Sequence, residues 1–469
     1  MSNLLIFEKN FYSMKLFSTE TYTNRRSALK NAIGSGQILI MGNNESPMNY
    51  TDNTYRFRQD SNFLYFFGIN LPGLSALIDI DKDEEIIFGH EYTIDDIVWI
   101  GRQEPLYVLA QKVGINTVLE PGTIAQKINK EIKYLPPYRH DNKITLCNIL
   151  DISLKEINPS ELLIKAVIKL RMHKNSEEIV EMEKAVNITR SMHLAAMKAT
   201  KPGKFEFETV AKIMETMHLH HAELSYPVIF SVNGQTLHNH YHGNIMNDGQ
   251  LALNDSGCET EMCYAGDITR TFPVNGKFSV KQKEIYNCVL EMLESSTAML
   301  KPGVMYRDVH IHSNRILLSH LKNIGLVNGD IEEMLTAGVG GLFMPHGLGH
   351  NIGLDVHDME DLGENLVGYR EGLTRSTQLG LRSLRMAREL ETGNVITVEP
   401  GCYFIPELIE KYKSEGIFKE YVNYQKLENY YDFGGVRIED NVLITESGYR
   451  VLGDRIAKTV EEVETVMAS

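Results

Sequence analysis

The sequence predicts a two-domain protein: a smaller α/β unit over residues 1–160, then an α+β unit built from two related halves over 161–469. Three observations predict this. At 469 residues the chain exceeds what a single hydrophobic core ordinarily serves. Near residue 160 short apolar runs give way to the long charged helical stretch ELLIKAVIKLRMHKNSEEIVEMEKAVNITRSMHLAAMKATKPG, which puts the boundary at 155–172. Finally, Lys-Pro-Gly ends a helical pattern twice, at 201–203 and 301–303, each time before a second helical stretch and then strands. Such a recurrence suggests an internal duplication.

Taken in order, the first 150 residues contain the runs GQILIMG, LSALIDID and EEIIFG, short enough for strands and bounded by turn residues. Asn175 followed by Glu178 forms a capping box at the start of the long helix. In the second unit GQLALND alternates polar and apolar residues, and DITRTFPV, NVITVEPG and GVRIEDNVLIT read as further strands. Within GVRIED, a continuous strand puts Arg437 and Glu439 on one face and Val436 and Ile438 on the other.

Composition excludes several classes. Hydrophobic residues make up 43% and charged residues 23%, a globular balance. Lys plus Arg number 47 against 62 Asp plus Glu, a net charge of 47 − 62 = −15, with no basic stripe, so nucleic acid is not an expected partner. Five cysteines (147, 258, 263, 288 and 402) include no CxxC pair, which indicates a reducing compartment. Cys258 and Cys263 could clip a metal, but no second pair completes such a site, and buried spectators are the plainer reading. The N-terminal MSNLLIFEKNFYSMKLF is broken by Glu8 and Lys9 and lacks the apolar core of a secretory signal. No apolar run reaches the roughly 18 residues of a membrane span, so a cytoplasmic protein is expected.

The segment FMPHGLGHNIGLDVHD, Phe343 to Asp358, concentrates three histidines, His346, His350 and His357. The spacing of the first two matches the helical zinc motif HExxH. However, Gly347 and Gly349 would each cost a helix about 1 kcal/mol, and the glutamate that serves as general base is missing. A loop-and-strand segment with closely packed backbone is the better expectation. Acidic partners are available at strand ends: Asp255, Asp267, Glu399 and Glu439, each flanked by glycine, apolar or β-branched residues. Singly, each could be a turn or surface carboxylate. Converging, they could not all remain ionised without cations. Two divalent cations with oxygen ligands and one imidazole suit Mn²⁺, Fe²⁺ or Co²⁺, and such a pair activates a shared water for hydrolysis.

The motifs DSGCETEMCYAGDITRTFPVNGKF, MPHGLGHNIGLDVHD, TVEPGCYF and GGVRIEDNVLIT resemble the pita-bread metallopeptidases, most closely the Xaa-Pro dipeptidase (prolidase) and aminopeptidase P group. TDNTYRFRQDSNFLYFFGINLPG resembles the N-terminal domain of the same proteins, so the likeness covers nearly the whole chain. It implies a C-terminal pita-bread domain with a pseudo-twofold repeat, preceded by an aminopeptidase P-type α/β domain. It also implies two metal ions, Mn²⁺ in the first instance with Co²⁺ or Zn²⁺ as alternatives, held by Asp255, Asp267, His350, Glu399 and Glu439. Asp267 and Glu439 would bridge, and Glu399 would also shuttle a proton. By the same resemblance His238, His346 and His357 line the substrate side, with His357 donating to the oxyanion or the proline carbonyl. His240 and His242 would be local hydrogen-bonding residues. Arg437, and Thr269 two residues after Asp267, would orient the bridging carboxylates. The interval from Asp255 to Asp267 is one residue longer than is usual in the family, which a hairpin turn can absorb.

The implied reaction is hydrolysis of the Xaa-Pro bond of short peptides, with Xaa-Pro dipeptides first and removal of the N-terminal residue from longer peptides as the alternative. RSLRMAREL resembles prolidases, in which the arginine at the position of Arg385 meets the terminal carboxylate; Arg382, Arg385 and Arg388 could instead form a solvated face. Trp99, the single tryptophan, is either a core aromatic or, by the resemblance, part of a loop that reaches the active site of a neighbouring subunit in a homodimer. A non-catalytic binding protein and a metal-independent relative such as creatinase are the competing classes; both are disfavoured because every ligand position is retained.

Overall fold

A computed structural model describes residues 14–469, so the N-terminal segment read above as lacking a secretion signal lies largely outside the described residues. The chain divides into two compact units, the first ending at Arg171 and the second beginning at Met172. In the first, β1 (Gln37–Met41), β2 (Ser75–Asp79), β3 (Glu84–Phe88), β4 (Thr117–Leu119) and β5 (Lys133–Tyr134) form one sheet in the order β4-β3-β2-β1-β5. The first three strands are the apolar runs QILIM, SALID and EEIIF, paired antiparallel, while β4 and β5 add in parallel at the edges. Arg26 is fully buried in this unit. Its guanidinium donates to Glu85 at 2.7 Å and to the carbonyls of Phe66 and Val113, which satisfies a charge that would otherwise be prohibitive to bury.

The duplication in the second unit is explicit in its backbone. Helix Ser176–Ala199 starts at the Asn175/Glu178 capping box, stops before Lys201-Pro202-Gly203, and packs on helix Glu206–Leu219. Helix Val280–Ala298 stops before Lys301-Pro302-Gly303 and packs on helix Tyr306–Asn323. After each Lys-Pro-Gly the same ladder forms with a later segment. Gly203 N–H donates to Met246 O and Gly303 N–H to Leu390 O, both at 2.8 Å. Met246 N–H returns to Lys204 O and Leu390 N–H to Val304 O, while Glu206 pairs with Asn244 and Tyr306 with Arg388. Nine residues past Met246 comes Asp255, and nine past Leu390 comes Glu399 (255 − 246 = 399 − 390), so the two carboxylates occupy equivalent places in the halves.

The strands of this unit are β6 (Glu223–Leu224), β7 (Ile229–Ser231), β8 (Leu251–Ser256), β9 (Cys258–Glu259), β10 (Ile268–Pro273), β11 (Val395–Val398), β12 (Gly401–Tyr403), β13 (Gly435–Arg437), β14 (Asp440–Ile444) and β15 (Tyr449–Val451). They make two three-stranded sheets, β10-β8-β7 and β11-β14-β15, with two-stranded pairs β12-β13 and β6-β9. Two sequence expectations need correction. GQLALND does not have one wet face: all of β8 is buried, because it is the central strand of its sheet and helix Ser176–Ala199 packs on it. And GVRIEDNVLIT is not continuous. It changes partner at Ile438-Glu439, where β13 leaves β12 and β14 begins to pair with β11, while Glu439 N–H donates to Thr269 O.

The longer Asp255–Asp267 interval is taken up between residues 260 and 264, where Thr260 N–H bonds Tyr264 O and Cys263 adopts φ +64°. Among the described residues no cysteine is in a disulfide and no helix is long and apolar enough to cross a membrane.

Candidate metal centre and active site

Four local structures bring the candidate ligands together. Asp255 lies on β8 opposite Thr269, and Asp267 immediately precedes β10. Glu399 follows β11, and Glu439 sits at the break between β13 and β14. His350 is delivered by the glycine-rich segment, which is extended, not helical. Glu399 N–H donates to Leu348 O, Thr397 N–H to His350 O and Ile352 N–H to Val395 O, so the segment lies along β11. Gly349 is what allows this approach, since a Cβ there would stand 2.1 Å from Thr397 O. All five side chains line one cavity of about 400 Å³, together with Tyr226, His238, His240, His346, His357, Arg385 and Arg437.

The donor set fits a cation. His350 Nδ1 donates to Asn351 O at 3.0 Å, which leaves Nε2 facing Asp267 Oδ2 and Glu399 Oε1, each 3.5 Å away, where the ring carries a proton toward the carboxylates or, deprotonated, would offer its lone pair to a cation. Ligand atoms of Asp267, His350 and Glu439 all lie within 4.8 Å of one another. Glu439 Oε1 is buried with no hydrogen-bond partner, an arrangement a buried carboxyl tolerates only if it takes up a proton or a cation meets it. Tyr226 makes the same point. Its hydroxyl lies 2.7 Å from Asp255 Oδ1 and 2.5 Å from Asp267 Oδ1, yet a phenol has one hydrogen to give.

Electrostatics agree. Burial, then the neighbouring carboxylates, pushes Glu439 well above the usual range and Glu399 up to about 7. Burial also raises Asp255, in spite of Arg437 beside it. Asp267 alone is lowered: burial opposes its ionisation, but the hydrogen bond and charge of His350 outweigh it. Three buried carboxylates and the partly buried Glu399 face one guanidinium and one imidazole, so the site is short of positive charge.

Arg437 is the hub of the support, though not as expected. It does not touch Glu439. Its guanidinium donates to Asp255 Oδ2 at 2.5 Å, Tyr403 Oη at 2.9 Å and Thr269 Oγ1 at 3.1 Å, and Thr269 in turn donates to Glu439 Oε2 at 2.7 Å. The break after β13 is the reason, because it ends the alternation that would have set Arg437 and Glu439 side by side. His346 lines the cavity, as the resemblance implies. Its Nδ1 donates to Gly347 O at 2.7 Å and Nε2 lies 2.8 Å from Tyr403 Oη, so protein groups engage both nitrogens. Burial, then Arg437, drops its pKa to about 3, so the ring is neutral and accepts from Tyr403.

On the remaining wall, His238 is exposed on one side, and partial desolvation, then Arg437 and Arg385, lowers its pKa. His240 and His242 point Nδ1 at the carbonyls of Val228 and Phe230, as local residues would. His357 stacks edge-on against His350, ring centres 4.2 Å apart, and donates Nδ1–H to Glu360 Oε2 at 2.7 Å. Arg385 borders the same cavity and is ion-paired to the other oxygen of Glu360. Trp99 is not a core residue: it is 83% exposed on helix Ile94–Ile100, which buries none of its residues, and it is not among those lining the cavity.

Sequence reasoning passed over Tyr226, Tyr403 and Glu360. Tyr403 lies inside TVEPGCYF, where its place beside Glu399 was a usable signal. Tyr226 and Glu360 are single residues with no periodicity or spacing to mark them.

Fold and site together define a metallopeptidase, and the chain belongs to metallopeptidase family M24, whose description residues 180–446 match. Residues 22–137 match the N-terminal domain of aminopeptidase P. Among curated proteins it is similar to the Xaa-Pro dipeptidase of Homo sapiens, 33% identical with 93% of this chain and 90% of that one aligned. It is also similar to a probable Xaa-Pro aminopeptidase of Botryotinia fuckeliana, 35% identical over 89% and 88%. Among solved structures, aminopeptidase P from E. coli with the inhibitor Pro-Leu superposes with TM-score 0.79 at 31% identity, covering 97% of this chain and 99% of that one. The expected fold, a pita-bread domain behind an aminopeptidase P-type N-terminal domain, is therefore the observed one.

Proposed function

We propose that this chain is a dinuclear-metal exopeptidase that hydrolyses the Xaa-Pro bond of short peptides, Xaa-Pro dipeptides first. The observation that carries the reading is that ligand atoms of Asp267, His350 and Glu439 lie within 4.8 Å of one another, in one cavity with Asp255 and Glu399 and with Glu439 Oε1 unpartnered, in an M24 chain. Asp255, Asp267, His350, Glu399 and Glu439 would hold two divalent cations, with Mn²⁺ the first choice for an oxygen-rich shell and Co²⁺ or Zn²⁺ able to replace it. When bound, such ions supply Lewis acidity and a nucleophilic water.

The chain's own residues do the rest. Glu399, at the cavity's edge of β11, takes a proton from the attacking water and returns it to the leaving nitrogen, a role worth typically 10²–10⁴-fold in rate. Arg437 fixes Asp255 directly and Glu439 through Thr269, so the carboxylates are set before substrate arrives. His238 and His357 border the space where the proline and the developing oxyanion would sit, and His346 holds Tyr403 against Arg437. Arg385 is the guanidinium that a terminal carboxylate would meet.

A second reading, cleavage of longer Xaa-Pro peptides, is favoured by one observation: Arg385 already has a carboxylate partner in Glu360. We also propose a cytoplasmic homodimer in which Trp99 reaches the site of the other subunit; the exposed apolar face of its helix, with Ile94, Val98 and Ile100, supports this. The test of the activity is hydrolysis of Gly-Pro by chelator-treated protein with and without added Mn²⁺. Metal-dependent turnover is expected, and turnover indifferent to metal would overturn the reading.

A further inference from the structure

Arg385 and His357 both border the main cavity, and one residue joins them from behind. Glu360 accepts from His357 Nδ1 through Oε2 and pairs with Arg385 through Oε1. It borders not the main cavity but a small space on the far side of the two, shared with Asp358, Glu364 and Val367. The arrangement is built by the backbone. The loop 351–358 closes where Asp358 N–H donates to Asn351 O. Met359 then turns through φ +64°, and Glu360 N–H returns to His357 O. Of the other carboxylates on that space, Asp358 is paired with Lys174 and Glu364 with Arg375, each at 2.9 Å. Glu360 is therefore the residue that offsets the charge of Arg385.

From this we infer that Glu360 is a specificity-determining, positioning residue that holds Arg385 in a neutral pair and so admits peptides continuing past the proline alongside Xaa-Pro dipeptides. The inference rests on the Xaa-Pro reading above. An uncommitted guanidinium rewards a terminal carboxylate with both charge and a two-pronged hydrogen bond. A guanidinium already neutralised offers an incoming carboxylate little net charge, and the carboxylate must compete with Glu360 for its donors. The carbonyl of a continuing peptide needs only one spare N–H, which the pair still provides. Glu360 thus handicaps the charged end and leaves the neutral one nearly untouched.

The experiment compares kcat/KM for Gly-Pro and for Gly-Pro-amide, which differ only in the charge of the C-terminus, in the Mn²⁺-loaded protein. Glu360→Gln should raise the Gly-Pro to Gly-Pro-amide ratio by about tenfold or more, because no carboxylate then offsets the guanidinium's charge. The gain should lie mainly in KM for Gly-Pro. In an Arg385→Gln background the same substitution should leave the ratio unchanged, which separates charge tuning from a structural role. A ratio within twofold of wild type, a fall in the ratio, or equal loss on both substrates overturns the inference while the peptidase reading stands. A wild-type protein that cleaves neither substrate overturns the peptidase reading itself.

Discussion

Lys174 and Asp358 form an ion pair at 2.9 Å in which each side chain is only 1% exposed. The pair ties the first residues of the catalytic unit to the turn that carries His357 and Glu360, and Lys174 N–H is fixed in turn by Gly393 O. Removing one charge of a buried pair leaves the other without its counter-ion, so Lys174→Met should lower unfolding stability by about 3 kcal/mol. Denaturant melts give the stability, and the Gly-Pro rate should fall further than stability alone explains as the His357 turn loosens. A variant as stable and as active as wild type would show that the pair positions nothing.

Arg437 reaches Asp255, Tyr403 and Thr269 at once, and Thr269 carries the contact on to Glu439. Arg437→Met should weaken Mn²⁺ binding about 10–100-fold, the usual effect of losing a group that orients ligands. Arg437→Lys should recover little, since one ammonium cannot serve three acceptors in a planar fan. Calorimetric titration of chelator-treated protein with Mn²⁺ gives both affinities, and wild-type values would contradict the role.

A pH-dependent stability term should come from His310, away from the ligands. It is fully buried, accepts from Asn314 Nδ2 at 3.1 Å, and burial lowers its pKa to about 4. The unfolded chain takes up this proton near pH 6.5, whereas the folded chain resists until about 4. Its contribution, on the order of 3 kcal/mol, is therefore present above pH 6.5 and is lost as pH falls toward 4. Chemical denaturation over that range should show a shallower pH slope for His310→Gln than for wild type, and identical slopes would count against the assignment.

What the sequence disclosed, and what it withheld, follows from the range of the interactions. The Lys-Pro-Gly stops, the Asn175 cap and the non-helical character of Gly347 to His350 are set by backbone preferences within a few residues, and all are seen in the fold. The candidate ligands stood out because carboxylates among β-branched and glycine residues need a local reason to be there. By contrast, the break at Ile438-Glu439 depends on a change of partner strand from β12 to β11, and nothing in GVRIED encodes it. Burial of both faces of β8 depends likewise on a helix more than fifty residues earlier. Glu360 escaped notice because its importance is relational: a lone glutamate after a histidine reads as surface until the fold sets Arg385 beside it.

The central claim is that Asp255, Asp267, His350, Glu399 and Glu439 together hold a pair of divalent cations. Titration of chelator-treated protein with Mn²⁺, read as ions bound per chain, tests it most directly. Two ions are expected for wild type and a loss of at least one for Glu439→Gln in protein that remains folded. No uptake by folded wild type, or full uptake by the variant, would contradict it.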